Sequence, residues 1–473
     1  MKKTFKNQST RQIKPEKKVM AARYDSEPLS SWIQSDRIST GDSFKTISAA
    51  LEWLTRHDVC RGPYGLHRME FLMERLGNPQ RDIAAILVGG TNGKGSVTAL
   101  LENITSVGRI YQVGSTISPH LIDVTERIRL DARPLPDDLW IAGVNALKDH
   151  VTLMGREPSI GAPSFFELVT ALAFWAWHET DRDLAVIEVG LGGRLDATNV
   201  TWPEISVITN IGTDHKELLG PDRPSIAREK LGIVKRKNTL ITGEKDPDIL
   251  RLFSETCDAQ SATLVKTGVG DGRFEVIESH ARGHRIMIPG YPDPVDFSLA
   301  GLHQLDNLAT AMGVVEKLRQ NGFDLPPDHV AAGISRTVWP GRLQWIDGNP
   351  PVLLDGAHND EGLASLIAYL ERFPMPRPAH LIFGVLHNKP AAAMARSLAP
   401  HFDSISYVSP KSGRALMRAD FDSVIAPTDP RWKWCESLAE ALTAGTDAGS
   451  ASILVTGSLY LIADFLRRRQ KKS

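Results

Sequence analysis

The stretch Gly90-Thr91-Asn92-Gly93-Lys94-Gly95-Ser96 decides how the first half of this chain is read. It follows the apolar run Ile83-Ala84-Ala85-Ile86-Leu87-Val88 and precedes Val97-Thr98-Ala99-Leu100-Leu101. The first run predicts a strand and the second the start of a helix, which leaves the glycines in the turn between them. Such a turn lets backbone N–H groups converge on anionic oxygens, and the helix N-terminus adds partial positive charge. Asn92, Gly93, Lys94, Gly95 and Ser96 are therefore candidate phosphate contacts. Lys94 supplies the cation and Ser96 a hydroxyl within reach of a metal ion. The usual P-loop pattern has glycine where this chain has Val88, and Ser or Thr where it has Gly95. These departures point away from an ordinary GTPase or motor ATPase and towards a variant loop. The bland alternative is a glycine-rich surface turn.

Bulk properties narrow the class. A chain of 473 residues exceeds one ordinary core, so two domains are expected. With 42% apolar and 23% charged residues, the composition is that of a globular protein. A net charge of −1 gives no reason to expect nucleic acid or an anionic membrane as partner. Cys60, Cys257 and Cys435 lie far apart, which suits a reducing cytoplasm and argues against a disulfide framework or a zinc site. No apolar run is long enough to span a bilayer. Residues 1–42 begin with a lysine-rich stretch that lacks the apolar core of a secretory signal. They are expected to be a basic, disordered extension, with Met20 as an alternative start.

Short apolar runs then alternate with helical segments. Tyr111–Ile117, Leu184–Val189 and Ile205–Asn210 read as strands, and Phe165–Trp177 as a buried helix. This alternation predicts a mostly parallel sheet covered on both faces. Residues 239–297 are expected to form short antiparallel strands, ending at the turn-rich Pro289-Gly290-Tyr291-Pro292-Asp293-Pro294. The domain boundary is placed there: residues 43–297 form a P-loop domain and residues 298–473 a smaller Rossmann-like α/β domain. Strands at Val352–Asp355, His380–Phe383, Ser404–Val408 and Ser452–Val455 support the second.

In open parallel sheets, sites form beyond the carboxyl ends of the strands. Ser118, Glu188 and His215 all fall at such ends. Glu188 sits in an apolar run, where an unpaired carboxylate is costly. Together the three can hold a hard cation, with phosphate oxygens and water completing its shell. Alone, each is more simply a cap or a structural partner. Glu188 continues into Gly190-Leu191-Gly192-Gly193-Arg194-Leu195-Asp196, where the glycines permit close backbone approach to a ligand. Asp196 can bond a heteroaromatic substrate or cap a turn, and spacing does not decide between them. On pattern alone Lys230 is a surface lysine. Arg342 follows the rigid turn Trp339-Pro340-Gly341 and can clamp phosphate charge, while Asp355-Gly356-Ala357-His358-Asn359 places polar groups after a strand.

Taken in order, these segments resemble the folylpolyglutamate synthase/dihydrofolate synthase family of the Mur-ligase superfamily. The resemblance runs from about Tyr64 to Leu461. It includes Tyr64-Gly65-Leu66-His67-Arg68-Met69, Gly90–Ser96, Ser118-Pro119-His120-Leu121, Glu126-Arg127-Ile128 and Phe165-Phe166-Glu167. Glu188–Asn199, Asp214-His215, Glu229-Lys230, Gly301-Leu302-His303-Gln304 with Asn307, Pro340-Gly341-Arg342 and Asp355–Asn359 complete it. The resemblance implies that Lys94 and its loop bind ATP phosphates and that Ser118, Glu188 and His215 ligate Mg²⁺. It implies that Lys230 is carbamylated, against the surface reading. Asn307 is implied as the adenine contact, Arg342 and Asp355 as nucleotide contacts, His358 as a neighbour of the incoming glutamate, and Phe166 and Asp196 as the pterin pocket. Leu386-His387-Asn388-Lys389-Pro390 stands where Asp-Lys-Asp is common, which questions a cap or domain contact there.

The implied activity is ATP-dependent addition of L-glutamate to 7,8-dihydropteroate, with further γ-linked glutamates added to reduced folates, through an acyl phosphate. ATP and Mg²⁺ are the expected cofactors, without a redox group, and a monomer is expected from the family. The rivals are a Mur-type ligase acting on a cell-wall nucleotide, a P-loop NTPase used as a switch or motor, and a non-catalytic binding protein.

Overall fold

β1 (Ala84–Gly89) shows why the first sheet is buried on both faces. Successive strand side chains point to opposite faces. Ala85 and Leu87 accordingly enter one apolar core, and Ile86 and Val88 the other. A continuous apolar run is what a doubly covered parallel strand requires. In the computed structural model, residues 43–57 and 65–470 are described. The basic stretch 1–42, Cys60 and Tyr64 lie outside the described residues.

The sheet continues through β2 (Val113–Thr116), β3 (Ile128–Leu130), β4 (Arg133–Pro134), β5 (Leu184–Glu188), β6 (Ile205–Ile208), β7 (Thr239–Thr242) and β8 (Thr263–Lys266). Their spatial order is β4-β3-β2-β5-β1-β6-β7-β8. All pairings are parallel except β2–β3 and β3–β4. Residues 239–266 therefore extend the parallel sheet, with the helix Pro247–Gln260 between β7 and β8, and do not form the expected antiparallel strands. Antiparallel pairing is confined to β9 (Glu275–His280), β10 (Gly283–Met287) and β11 (Val295–Phe297).

Helices cap both faces. One face carries Phe165–Glu179, whose N-terminus is set by a capping box. The Ser164 Oγ accepts from the Glu167 N–H at 3.3 Å, and Glu167 Oε2 accepts from the Ser164 N–H at 2.7 Å. The other face carries Lys94–Ser106, which starts at Lys94, one residue after Gly93 in the left-handed region (φ 85°).

The boundary at residue 297 is corrected by packing. The helices Leu302–Gln320 and Pro327–Arg336 bury Leu308, Met312, Val330 and Ile334 in the same core as Val97 and Ile104 of Lys94–Ser106. They complete the first unit, and the turn-rich Pro289–Pro294 is only the connection from β10 to β11. The change of core comes after Arg336. The second sheet comprises β12 (Gln344–Ile346), β13 (Val352–Asp355), β14 (Ala379–Phe383), β15 (Ser404–Val408), β16 (Trp432–Cys435) and β17 (Ser452–Thr456), in the order β12-β13-β17-β14-β15-β16. Only β12 is antiparallel to its neighbour. Two mostly parallel α/β units are thus present, as expected.

A polar seam joins the units. Asn359 Nδ2 donates to Asn92 Oδ1 at 3.2 Å and to Asp214 Oδ2 at 3.3 Å. Glu361 Oε1 accepts from the N–H and the hydroxyl of Thr213. Lys389 Nζ lies 2.9 Å from Asp214 Oδ1, with both side chains mostly buried. The departure at residues 386–390 thus keeps a domain contact, made by Lys389, while Pro390 at the helix start provides no side-chain cap. Replacing Lys389 with Met is expected to cost about 1.5–3 kcal/mol of local stability, the scale of a hydrogen bond to a charged group. Faster hydrogen exchange of the Thr213 and Asp214 amides would report it, and unchanged protection would show that the ion pair contributes nothing to the seam.

Candidate functional site

The carboxyl ends of both sheets face one cleft. β1 delivers the glycine-rich loop, β5 ends on Glu188, and the turns after β6 and β7 add Asn210 and Glu244. From the second unit, β13 ends on Asp355 and leads into Gly356–Asn359. Between them is a cavity of about 440 Å³. Its walls include Asn92, Gly93, Lys94, Gly95, Ser96, Ser118, Glu188, Asn307, Arg342, Asp355 and His358. All eleven were singled out from the sequence.

The loop is held in shape before any ligand arrives. Thr91 N–H donates to the Asn210 carbonyl at 3.0 Å, and Asn92 N–H to Asn210 Oδ1 at 3.0 Å. Thr209 Oγ1 donates to the Asn92 carbonyl at 2.6 Å. Lys94 Nζ donates to the carbonyls of Gly90 and Thr91, each at 3.1 Å. The neighbouring ammonium of Lys230 donates to the same Gly90 carbonyl at 2.9 Å. Burial and the adjacent Lys94 charge bring Lys230 down to about 7, opposed by Asp196 and Asp214. Lys230 is 5% exposed, so the surface reading of this residue fails.

Glu188 stands opposite these cations. Burial raises its pKa to about 7, opposed by Lys94, the Ser118 N–H and Arg342. That N–H donates to Glu188 Oε2 at 2.8 Å. Ser118 and Glu188 therefore meet, as the sequence reading required. His215 is set apart, in a small adjoining cavity of about 40 Å³ that it shares with Lys94, Lys230 and Asp214. Its backbone is left-handed (φ 58°) and its ring is half-exposed, 3.9 Å from Asp214. Among the described residues no three His, Cys, Asp or Glu side chains converge as a preformed metal cage.

The remaining candidates have structural partners of their own. Asp355 Oδ2 accepts from Leu343 N–H at 3.0 Å and Oδ1 from Ala357 N–H at 2.9 Å, which ties the Arg342 turn to the loop after β13. Asn307 Nδ2 donates to Gln304 Oε1 at 2.9 Å. Asp196 is buried and caps the turn Ala197–Val200. It accepts from Thr198 N–H, from the Thr198 hydroxyl and from Leu191 N–H. The cap reading of Asp196 is thus the one observed. The Phe166 ring lies against Gly190, where a Cβ would stand 2.5 Å from Cζ. Neither Phe166 nor Asp196 lines the three cavities described.

A third cavity, about 270 Å³, opens between the units. Arg127 and His120 line it from the first unit, and His358, Lys389, Arg414 and Tyr460 from the second. Among the described residues no carboxylate lines it. The partly buried Arg127 donates through Nε to His120 Nδ1 at 2.9 Å, and its guanidinium lies 5.2 Å from the Phe165 ring centre. His358 lines both this cavity and the large one. Its Nδ1 donates to the Gly356 carbonyl at 2.7 Å, and burial holds its pKa down at about 4, so the ring is neutral near pH 7. Sequence reading gave Arg127, Lys389 and Arg414 no role, because nothing local ties three cations spread over the chain to one cavity.

Comparison with known proteins agrees with this layout. Residues 143–315 match the Mur ligase middle domain, and residues 341–459 match the Mur ligase glutamate ligase domain. The gap between the two matches brackets the change of core after Arg336. The chain is 33% identical over 411 residues to the dihydrofolate synthase/folylpolyglutamate synthase of Bacillus subtilis, covering 85% of this chain and 94% of that one. The Mycobacterium tuberculosis folylpolyglutamate synthase structure complexed with ADP and AMPPCP superposes with a TM-score of 0.78 at 30% identity, covering 88% of this chain and 97% of that one. E. coli FolC in complex with DHPP and ADP superposes with a TM-score of 0.76 at 27% identity, covering 92% and 100%. With the phosphate loop, the two facing sheets and these similarities in hand, the chain belongs to the dihydrofolate synthase/folylpolyglutamate synthase family of Mur ligases.

Proposed function

We propose that the protein joins L-glutamate to 7,8-dihydropteroate, and further glutamates to reduced folates, with cleavage of ATP. One observation carries this reading. A phosphate cradle and a cationic cavity, each lined from both units, meet at His358. A ligase that activates a carboxylate and then passes it to an acidic amino acid needs those two compartments side by side.

The chemistry balances as two displacements. The acceptor carboxylate attacks the γ-phosphorus, the bond to the bridging oxygen breaks, and ADP leaves. The glutamate amine then attacks the acyl phosphate, an amide forms, and inorganic phosphate leaves as the amine loses a proton. Lys94 and Arg342 neutralise charge on the transferred phosphoryl group. His358, neutral with Nδ1 committed to the Gly356 carbonyl, presents Nε2 as an acceptor for the incoming amine. Arg127, Lys389 and Arg414 attract the carboxylates of glutamate into the third cavity. Closure of the two units keeps water from the acyl phosphate.

The oxygen donors of Ser118 and Glu188, beside the phosphate loop, fit a hard cation such as Mg²⁺, and His215 is the further candidate ligand from the adjoining cavity. Bound there, the cation supplies charge neutralisation to the phosphates. The loop Gly190–Asp196 with Phe166 is the proposed wall for the pterin ring. Lys230, with its lowered pKa, is the proposed carbamylation site.

The direct test measures phosphate release from MgATP with L-glutamate, comparing dihydropteroate, tetrahydrofolate and no acceptor, with products identified by mass. A gain of one glutamate on dihydropteroate is expected, and glutamate-independent hydrolysis alone would favour an NTPase. Lys94→Ala should lower kcat by about 10²–10³, the scale of losing one preorganised charge at a transition state. Arg127→Ala is expected to raise KM for L-glutamate roughly ten- to a hundredfold, as loss of a charged hydrogen bond would, while KM for ATP holds. An equal rise in both would remove Arg127 from the amino-acid site. For Lys230, the free-amine fraction grows as pH rises through about 7. Carbamate formation with ¹³C-bicarbonate should therefore increase between about pH 6 and 8, seen as a carbonyl ¹³C signal that Lys230→Arg abolishes.

A further inference from the structure

We infer that the indole of Trp339 is the wall on which the nucleotide base stacks. The inference rests on the large cavity taking a nucleotide. Trp339 is half-buried and lines that cavity with Gly93, Gly95, Asn307 and Arg342. Its six-membered ring lies directly against the N-terminus of the helix Lys94–Ser106. A Cβ built on Gly95 would stand 2.5 Å from Cζ2 and 2.9 Å from Cε2 of the indole. No side chain fits at residue 95 while the ring is there.

This contact accounts for the departure of the phosphate loop from the usual pattern. The residue after Lys94 is glycine because an aromatic ring occupies the space that Ser or Thr would fill. The hydroxyl is supplied one residue later by Ser96, which is 4% exposed and lines the same cavity. An indole is large, flat and apolar. It lines the cavity beside the backbone groups that cradle phosphates, and a flat ring there can stack on a base.

The chain segment that carries the ring is anchored on its N-terminal side and turns sharply on the other. Ser298 Oγ donates to the Thr337 carbonyl at 2.7 Å, and Thr337 Oγ1 donates to the Gly333 carbonyl at 2.8 Å. These bonds fix the segment before Trp339 to the first unit. Pro340 and Gly341 (φ 73°) then turn the chain so that Arg342 enters the cavity from the second unit. Asn307 lines the same cavity, with Nδ2 engaged by Gln304 and Oδ1 lying against Gly93 of the phosphate loop. Stacking on a large ring favours purines over pyrimidines, because the overlap is greater.

The test uses the full-length protein and its own fluorescence. ADP is titrated against the wild type, Trp339→Phe and Trp339→Ala, with tripolyphosphate as a probe that has phosphates and no base. The wild type is expected to show saturable quenching with ADP and little with tripolyphosphate. Trp339→Phe should still bind ADP, followed calorimetrically, but lose most of the quenching. Trp339→Ala should weaken ADP about tenfold, the scale of one base–aromatic stack, and leave tripolyphosphate affinity unchanged. Full quenching in Trp339→Phe overturns the inference, and so does equal weakening of both probes in Trp339→Ala, which would mark a structural role. If Trp339→Ala does not fold, the quenching of Trp339→Phe decides alone. Failure of the wild type to bind ADP is a separate outcome that removes the nucleotide reading itself.

Discussion

The carbonyl of Gly90 accepts from two ammonium groups, Lys94 and Lys230, at the carboxyl end of a buried strand. Two cations converging on one neutral oxygen in a buried site is a standing electrostatic tension. It is tolerable because Glu188, Asp214 and Asp196 lie near enough to oppose it, as the influences on the two lysines show. Burial is the main cause of both shifts: it brings Lys230 down to about 7, helped by the Lys94 charge, and takes Glu188 up to about 7 against the pull of Lys94 and Arg342. Each group sits where its charged form is costly, so each is primed to respond to an arriving anion or cation. The P-loop, the strapping of its backbone to Thr209 and Asn210, and the close fit of Trp339 on Gly95 all keep this cluster in place.

The fold makes the cluster possible by aiming strand ends. β1 lies between β5 and β6, and the chain crosses from one side of it to the other. Glu188 ends β5 in register with Val88 of β1, so the carboxylate and the loop are neighbours by sheet geometry. The second sheet presents Asp355–Asn359 towards them, and the seam through Asp214, Asn359, Glu361 and Lys389 sets how closely. A largely polar seam between two separately packed cores suits units that open and close, because its bonds can be exchanged for water at modest cost.

Much of this was legible locally. The apolar runs at Ile83–Val88 and Leu184–Val189 read as strands, and their alternation with helical segments predicted a sheet covered on both faces. Glycines between a strand and a helix, with a lysine among them, pointed to a phosphate cradle rather than a surface turn. The capping box Ser164–Glu167 fixes a helix start within four residues. What misled was composition taken as topology. Pro289–Pro294 looks like a linker and is a short connection between two strands, while the buried faces of Leu302–Gln320 and Pro327–Arg336 give no sign of which sheet they cover.

The sequence by itself determined the element types, the anionic-ligand loop and, through an ordered set of short segments, the family. Those properties depend on residues within a few positions of one another. Only the tertiary structure decided that Lys230 is buried and that His215 faces a separate cavity. It alone brought Arg127, Lys389 and Arg414 around one cavity and set Trp339 on Gly95. Contacts between residues hundreds of positions apart follow from how two sheets dock at their carboxyl ends. No local propensity encodes that docking, because it is the sum of many packing contacts rather than a property of any one segment.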